Sequence, residues 1–467
     1  MPKMQSFTGG TDVQRSLNLA DNKCINLYPT LNDNGQIAAF YTTPGLVDYA
    51  TIPAGQIASG IYTASNGRCF MVAATTLYEL TAGGVITVLG AVTAGIVTRF
   101  TDNGIDLILV NGADGWLLKF ATNVLTKITS TGFPNGAKTI SYMNGRFACV
   151  QPNTQNFFIS NVLDGYTWDA LNVQTVDSNP DVAVAGIVSH NEFIVFGLIT
   201  GEVFYDSGAT VSPWVRNVSG IFEVGCIAPY SVAKIDNSVM WLGSSTTGYG
   251  IVYRLNGYTP MRVSTMSIEY AIQQMSNVSD AISFTYQQDG HHFYVITFPS
   301  GGKTFVYDCN TQVWHERAGF IDGSFIRWEA QEYAFFDNKH LVCDTLEGKI
   351  YYLDLAVHTD GGKVRKWVRS WRAPSSDMKR VPHHKLTLEL EGGVGALGGA
   401  DQSIVLRYSN DGGHTWSNEL WRDLGAMGEY QKRVYWHRLG ITSGQARVYE
   451  LSGSANVKTA LVAAYIE

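Results

Sequence analysis

Long apolar runs are missing from this 467-residue chain. Those present, such as Phe193 to Ile199, fall far short of the ~20 residues that a helix needs to cross a bilayer, so no membrane span is expected. Charge is sparse as well. Only 16% of residues are Asp, Glu, Lys or Arg, and 33 basic against 40 acidic residues give a net charge of −7. That balance argues against a protein whose whole surface grips nucleic acid. Proline is scarce at 13, and the six cysteines lie far apart with no C-x-x-C pair, as expected of buried thiols in a chain folded in the cytoplasm. The opening residues carry no basic-then-apolar leader pattern. His315-Glu316-Arg317 lacks the second histidine of a zinc-protease helix. Asn32-Asp-Asn34-Gly35 is too short for a calcium loop. No P-loop and no G-x-S-x-G elbow occur, so neither a catalytic set, a metal nor a cofactor is expected.

What is present is glycine (48), aromatic residues (11 Trp, 24 Tyr, 21 Phe) and 45% hydrophobic content, the makings of many short strands joined by tight turns around a large core. Seven short strand cores recur: Leu77 to Leu80, Leu117 to Phe120, Phe157 to Ser160, Val203 to Asp206, Ile251 to Arg254, Phe305 to Asp308 and Tyr351 to Asp354. Their last residues are 40, 40, 46, 48, 54 and 46 apart. Polar turns and then Trp168, Trp214 or Trp314 follow several of them. Asn103-Gly104 and Asn111-Gly112 predict tight hairpins with positive φ at both turn centres. Four strands per ~45 residues is the period of a propeller blade. The expected fold is therefore all-β: a β-propeller, seven blades favoured and six or eight possible.

Ile268, Ala271, Ile272 and Met275, spaced i, i+3, i+4, i+7 after Ser264-Thr265, predict one short helix inserted between blades, which accounts for the 54-residue spacing. After residue 362 the texture changes. Lys363, Arg365, Lys366, Arg369, Arg372, Lys379, Arg380 and Lys385 form a basic run with one acid, Asp377. Read from the residues, it is a solvated face or subunit contact in preference to a DNA contact. Alternating strands from Lys385 to Glu391, Ile404 to Tyr408, Arg433 to Leu439 and Ala446 to Leu451 predict a small C-terminal β-sandwich. The division is 1–59, an N-terminal segment contributing strands and subunit contacts; 60–361, the propeller; and 362–467, the C-terminal β domain.

Two motifs stand out in that last part. Ser409-Asn-Asp411-Gly-Gly413-His-Thr415-Trp416 matches the Asp-box pattern S-x-D-x-G-x-T-W, a turn in which Asp411 accepts backbone amides and Trp416 is expected to plug the core. Its role is structural. Gly393-Val-Gly395-Ala-Leu-Gly398 matches G-x-G-x-x-G but precedes a strand, whereas a dinucleotide fingerprint must open a helix.

Several segments resemble the packaged-DNA stabilisation, or tail-hub nozzle, proteins of short-tailed bacteriophages. They are Asn26-Leu-Tyr-Pro29, Tyr41 to Leu46, Arg262 to Glu269, Gly290 to Phe298, Thr304 to Asp308 leading to Trp314 and Arg317, the Asp box, and Val434 to Gly440 through Arg447 to Glu450. Met266 and Ser267 depart from that family's pattern before the helix. The resemblance implies a structural virion tail protein, not an enzyme, made in the host cytoplasm. It implies a homohexameric ring below the portal and its head-tail adaptor ring, extending the DNA channel, helping to retain packaged double-stranded DNA and guiding its ejection. A tail needle or plug and tail spikes or fibres are the further partners implied. A sialidase-like propeller glycan hydrolase or lectin is the alternative, and it needs convergent arginines and paired carboxylates.

Overall fold

A computed structural model describes residues 3–15, 21–209, 213–373, 379–393, 402–444 and 447–467. Almost every element in it is a strand, and seven antiparallel four-stranded meanders follow one another. They span 58–91, 99–127, 140–175, 183–222, 225–262 and 282–321, and the seventh comprises 330–354 plus one borrowed strand. That strand is Gly45–Thr51, which pairs antiparallel with Lys349–Asp354, so residues from early in the chain complete the last blade. The inner strands contact one another in order around the axis, the seventh (Ala330–Phe336) returning to the first (Ala58–Thr63). The wheel is closed and has seven blades.

All seven recurring strand cores fall on the third strand of a blade. Their apolar side chains are buried between neighbouring blades, and the tryptophans that open outer strands seal them. Phe157, for example, meets Phe193, Phe204 and Trp214 with ring centroids 4.8–6.2 Å apart. Five inner hairpins turn on two residues of positive φ: Asn144-Gly145, His190-Asn191, Asp236-Asn237, Asp289-Gly290 and Asp337-Asn338. This is the turn whose twist matches paired strands. The two sites expected to behave this way do not. At Asn103-Gly104 and Asn111-Gly112 only the glycine has positive φ. There the asparagine Oδ1 accepts the amides two and three residues on, at 2.7–3.1 Å, giving wider Asx-type loops.

The helix is Met266–Gln273, between blades five and six, with Ile268 and Ile272 buried. Thr265 occupies the N-cap position but makes no side-chain cap, and the Ser264 hydroxyl instead donates to Glu269 Oε1 at 2.7 Å.

The sandwich is not built by the C-terminal segment alone. One of its sheets runs Leu27–Leu31, Ile37–Thr42, Ala460–Ile466, Lys385–Leu390, Val434–His437. The other runs Cys24–Ile25, Trp367–Arg372, Val448–Gly453, Ser403–Ser409, Leu420–Asp423. Cys24–Ile25 also pairs, in parallel, with the outer strand Val313–Ile321 of blade six, so hydrogen-bonded sheet continues from propeller to sandwich. Met4 and Phe7 lie in the sandwich core with Phe40, Trp371, Trp436 and Tyr449. Beyond Gly393 the G-x-G-x-x-G segment lies outside the described residues, as do Thr210–Ser212, Asp377 and Ala446.

Candidate functional site

The propeller axis is the first place to look for a site, and it is tied shut. Arg99, on the inner strand of blade two, donates through Nη1 to Glu332 Oε2 at 2.6 Å on blade seven. Its Nη2 donates to the carbonyls of Tyr230 (3.2 Å) and Ser283 (3.5 Å) on blades five and six. Such a reach between non-adjacent blades crosses the centre of the wheel. Burial pushes the Glu332 carboxyl up, and the Arg99 guanidinium opposes that shift. At one mouth of the axis opens a cavity of about 860 Å³ whose lining includes Ser59, Asn111, Lys138, Asp280, Arg327 and Gln331. It lacks the paired carboxylates and convergent arginines of a glycan hydrolase.

Four buried arginines form a second feature, in the sandwich, in blade six and between them. Arg369 has no exposed surface. Its Nε and Nη2 donate to the Phe7 carbonyl at 3.1 and 2.7 Å, its Nη1 to the Lys23 carbonyl at 3.2 Å, and its guanidinium lies 4.7 Å from the Phe40 ring centroid. Arg447 donates to the carbonyls of Leu439 and Ile441 and, at 2.8 Å, to Asn410 Oδ1 beside the Asp box. Arg317 is enclosed by the rings of Tyr286, Phe293 and Trp328 and donates to the Tyr286 hydroxyl. Arg365 sits 3.8 Å from Asp360, an ion pair too long for a hydrogen bond. Burial pushes Asp360 up and Arg365 and Arg369 down. A guanidinium suits such places because its five N–H groups reach several carbonyls at once.

The basic run is therefore not one surface. Arg365 and Arg369 are buried inside the chain and cannot touch a partner, which corrects the expectation for both. Alternation along Trp367–Arg372 puts Arg369 on the same inward face as Trp367 and Trp371, a signal the sequence already contained. Lys363 pairs with Glu329 (3.4 Å) and Glu347 (2.8 Å), and Lys366 lies over the Phe320 ring. Arg372 is half-buried, while Lys379 and Arg380 are exposed.

The Asp box closes a turn after Ser403–Ser409. Asp411 Oδ1 accepts the Thr415 amide at 2.8 Å and the Ser409 hydroxyl at 2.6 Å; Oδ2 accepts the Thr415 hydroxyl at 2.6 Å. These bonds hold its carboxyl well below the usual range, the Ser409 hydroxyl contributing most. The Gly413 amide donates to Ser409 Oγ at 2.8 Å. Trp416 departs from expectation: it is half-buried rather than plugged into the core, with Arg407 4.6 Å above its ring and Lys23 at 5.7 Å.

No group of three or more His, Cys, Asp or Glu side chains that could hold a metal ion exists among the described residues. His291 Nδ1 lies 2.7 Å from Asp308 Oδ2, which also accepts from the Thr311 hydroxyl, and among the described residues no Ser, Thr or Cys side chain is bonded to the imidazole. All six cysteines are free, and burial raises every thiol.

The chain is 24% identical over 350 residues to the tail hub protein gp10 of Salmonella phage P22, covering 70% of this chain and 72% of that protein. Among solved structures it is similar to virginiamycin B lyase of Staphylococcus aureus (TM-score 0.45, 11% identity, 66% of this chain and 98% of that one). It is also similar to the extracellular domain of the two-component system BT4673 of B. thetaiotaomicron (TM-score 0.45, 8% identity, 66% of this chain and 40% of that one). Both structural likenesses are too distant to carry an argument about function. The model for the bacteriophage P22 Gp10 beta-propeller matches residues 6–358, and the one for the P22 Gp10 beta-sandwich matches 366–467. Matched in that order along nearly its whole length, the chain belongs to the bacteriophage P22 Gp10 family, a propeller followed by a sandwich.

Proposed function

We propose that the protein is a structural subunit of a phage tail hub, and not an enzyme. The observation that carries this reading is the match of both family models in order, together with the relative's role as a tail hub protein. In this reading the subunits form a homohexameric ring in the virion tail, beneath the head-tail adaptor ring, and meet a needle or plug and spikes or fibres. The ring extends the DNA channel, helps to retain the packaged genome and guides its ejection.

The axial tie supports one course for DNA in this reading. With Arg99 reaching blades five, six and seven, a duplex has no passage along a propeller's own axis, so the conduit is the space the ring encloses between subunits. A net charge of −7 per subunit favours passage over adhesion, since phosphates are repelled by walls of like sign. The test is negative-stain imaging of the protein mixed with capsids that lack tails. A ring of density added at the portal vertex is the expected result; protein that stays free, or decorates the capsid at random, refutes the reading.

A further inference from the structure

Charge is segregated along this chain. No lysine or arginine occurs between Arg146 and Arg216, a stretch that forms most of blades three and four and contains seven Asp and Glu residues, of which Asp169 and Asp177 are exposed and Asp181 and Glu202 are buried. From residue 362 onward the balance reverses, with 15 basic against 10 acidic residues.

The acidic flank has a matching peculiarity of backbone. In blade three the outer strand takes six residues, Trp168 to Val173, where its neighbour takes three, Ser160 to Phe158. In blade four the outer strand takes six, Asn217 to Phe222, where its neighbour takes three, Val203 to Gly201. Adjacent blades thus carry bulges of equal size on their outer edges, and the bulged segments expose Leu171 and Val218, each 79% accessible. Bulges interrupt the ladder and protect an edge from indiscriminate pairing. Large aliphatic side chains on them gain nothing for the monomer and mark a contact surface.

The complement lies on the sandwich. Trp421 and Tyr435 are exposed on adjoining edge strands, tied where Arg422 Nε donates to the Tyr435 carbonyl at 3.0 Å. Around them Arg433 and Arg438 are exposed and, among the described residues, meet no carboxylate.

We infer that the bulged, acidic edge of blades three and four is the seat for the basic, aromatic edge of the sandwich of a second copy of this chain. One chain carries both halves, so the contact is heterologous, and a heterologous contact closes into a ring when its rotation divides the circle. Charge complementarity selects this occupant, and the exposed aromatic rings supply the anchors that such interfaces favour. The inference rests on the ring reading above and adds to it which surfaces meet.

Two singly substituted proteins test it: Leu171→Cys and Trp421→Cys, mixed under mild oxidation at a concentration where mass measurement finds oligomers, or on tail-less capsids. The native cysteines do not interfere, because five are buried, Cys309 is half-buried and burial raises all six thiols. Disulfide-linked dimers in the mixture, and their loss when either variant is oxidised alone, are expected. Repeating the pairing with Tyr435→Cys guards against a local defect at Trp421, and Val218→Arg is expected to abolish the oligomer while leaving the monomer folded by circular dichroism. Rings in which neither mixed pair cross-links, or which survive Val218→Arg, overturn the inference but leave the ring reading intact. Failure to assemble at all, in solution and on capsids, overturns both.

Discussion

Arg99 and Glu332 face each other across the propeller at 2.6 Å, although the strands that bear them belong to blades two and seven. Glu332 is buried, so removing its partner strands a carboxylate without compensation. Arg99→Ala should cost about 3 kcal/mol, near the low end for a broken buried pair. Replacing both residues with apolar ones, Arg99→Met with Glu332→Leu, should recover most of that loss. Urea unfolding of the two variants decides it; equal losses would show that the ion pair itself is not what is felt.

The N-terminal segment should depend on one side chain. Arg369→Ala removes the donors that reach the Phe7 and Lys23 carbonyls, and leaves the buried Phe7 carbonyl short of a partner while the Lys23 carbonyl keeps the Ser370 amide. About 2–4 kcal/mol should be lost. Early proteolytic cuts should appear before residue 24 while the propeller stays intact. Arg369→Lys should not restore protection, because one ammonium cannot span two carbonyls.

Trp416 and Trp436 form a matched test of burial. The first is half-buried under two cations, and Trp416→Ala should cost about 1–2 kcal/mol. The second is 1% exposed in the sandwich core, and Trp436→Ala should cost about 3–5 kcal/mol. Similar denaturation midpoints for the two variants would contradict the placement of Trp416.

Three buried histidines, His315, His358 and His383, should make the fold acid-sensitive, burial holding His315 well below its ordinary value. Burial lowers His358 and His383 to about 4, with Arg365 and Arg447 respectively adding to the effect. Between the ordinary histidine value near 6.5 and about 4 the unfolded chain takes up protons that the folded one refuses. Stability should therefore be complete above pH 6.5 and decline as pH falls toward 4, by on the order of 1–3 kcal/mol per histidine. His383→Gln should flatten part of that slope in melting curves recorded from pH 7 to 4.5.

Much of the propeller was legible because its information is local. The seven anchors mark third strands, and the 54-residue spacing marks the helix, since short hairpins and a 3.6 periodicity leave regular traces in sequence. What escaped is long-range. Nothing near Cys24 signals that it bridges blade six and Trp367–Arg372, nor that Leu27–Leu31 serves the sandwich. Charge was the other source of error. Arg365 and Arg369 sit in the same basic run as Lys379, and composition does not separate a guanidinium buried beside Trp367 and Trp371 from an exposed ammonium. The axial role of Arg99 left no pattern at all, because its partners lie 131 to 233 residues away.

The borrowed strand Gly45–Thr51 has a consequence for biosynthesis. It is made early, yet its pairing partner Lys349–Asp354 leaves the ribosome roughly 300 residues later, about 15–60 s at ordinary elongation rates. Ile37–Thr42, paired locally with Leu27–Leu31, waits longer still for its other neighbour, Ala460–Ile466 at the other extremity. A nascent polypeptide must hold Gly45–Thr51 unpaired and one edge of Ile37–Thr42 uncovered for most of its own translation, so a chain truncated anywhere before its final strand would lack a completed sandwich and be open to quality control.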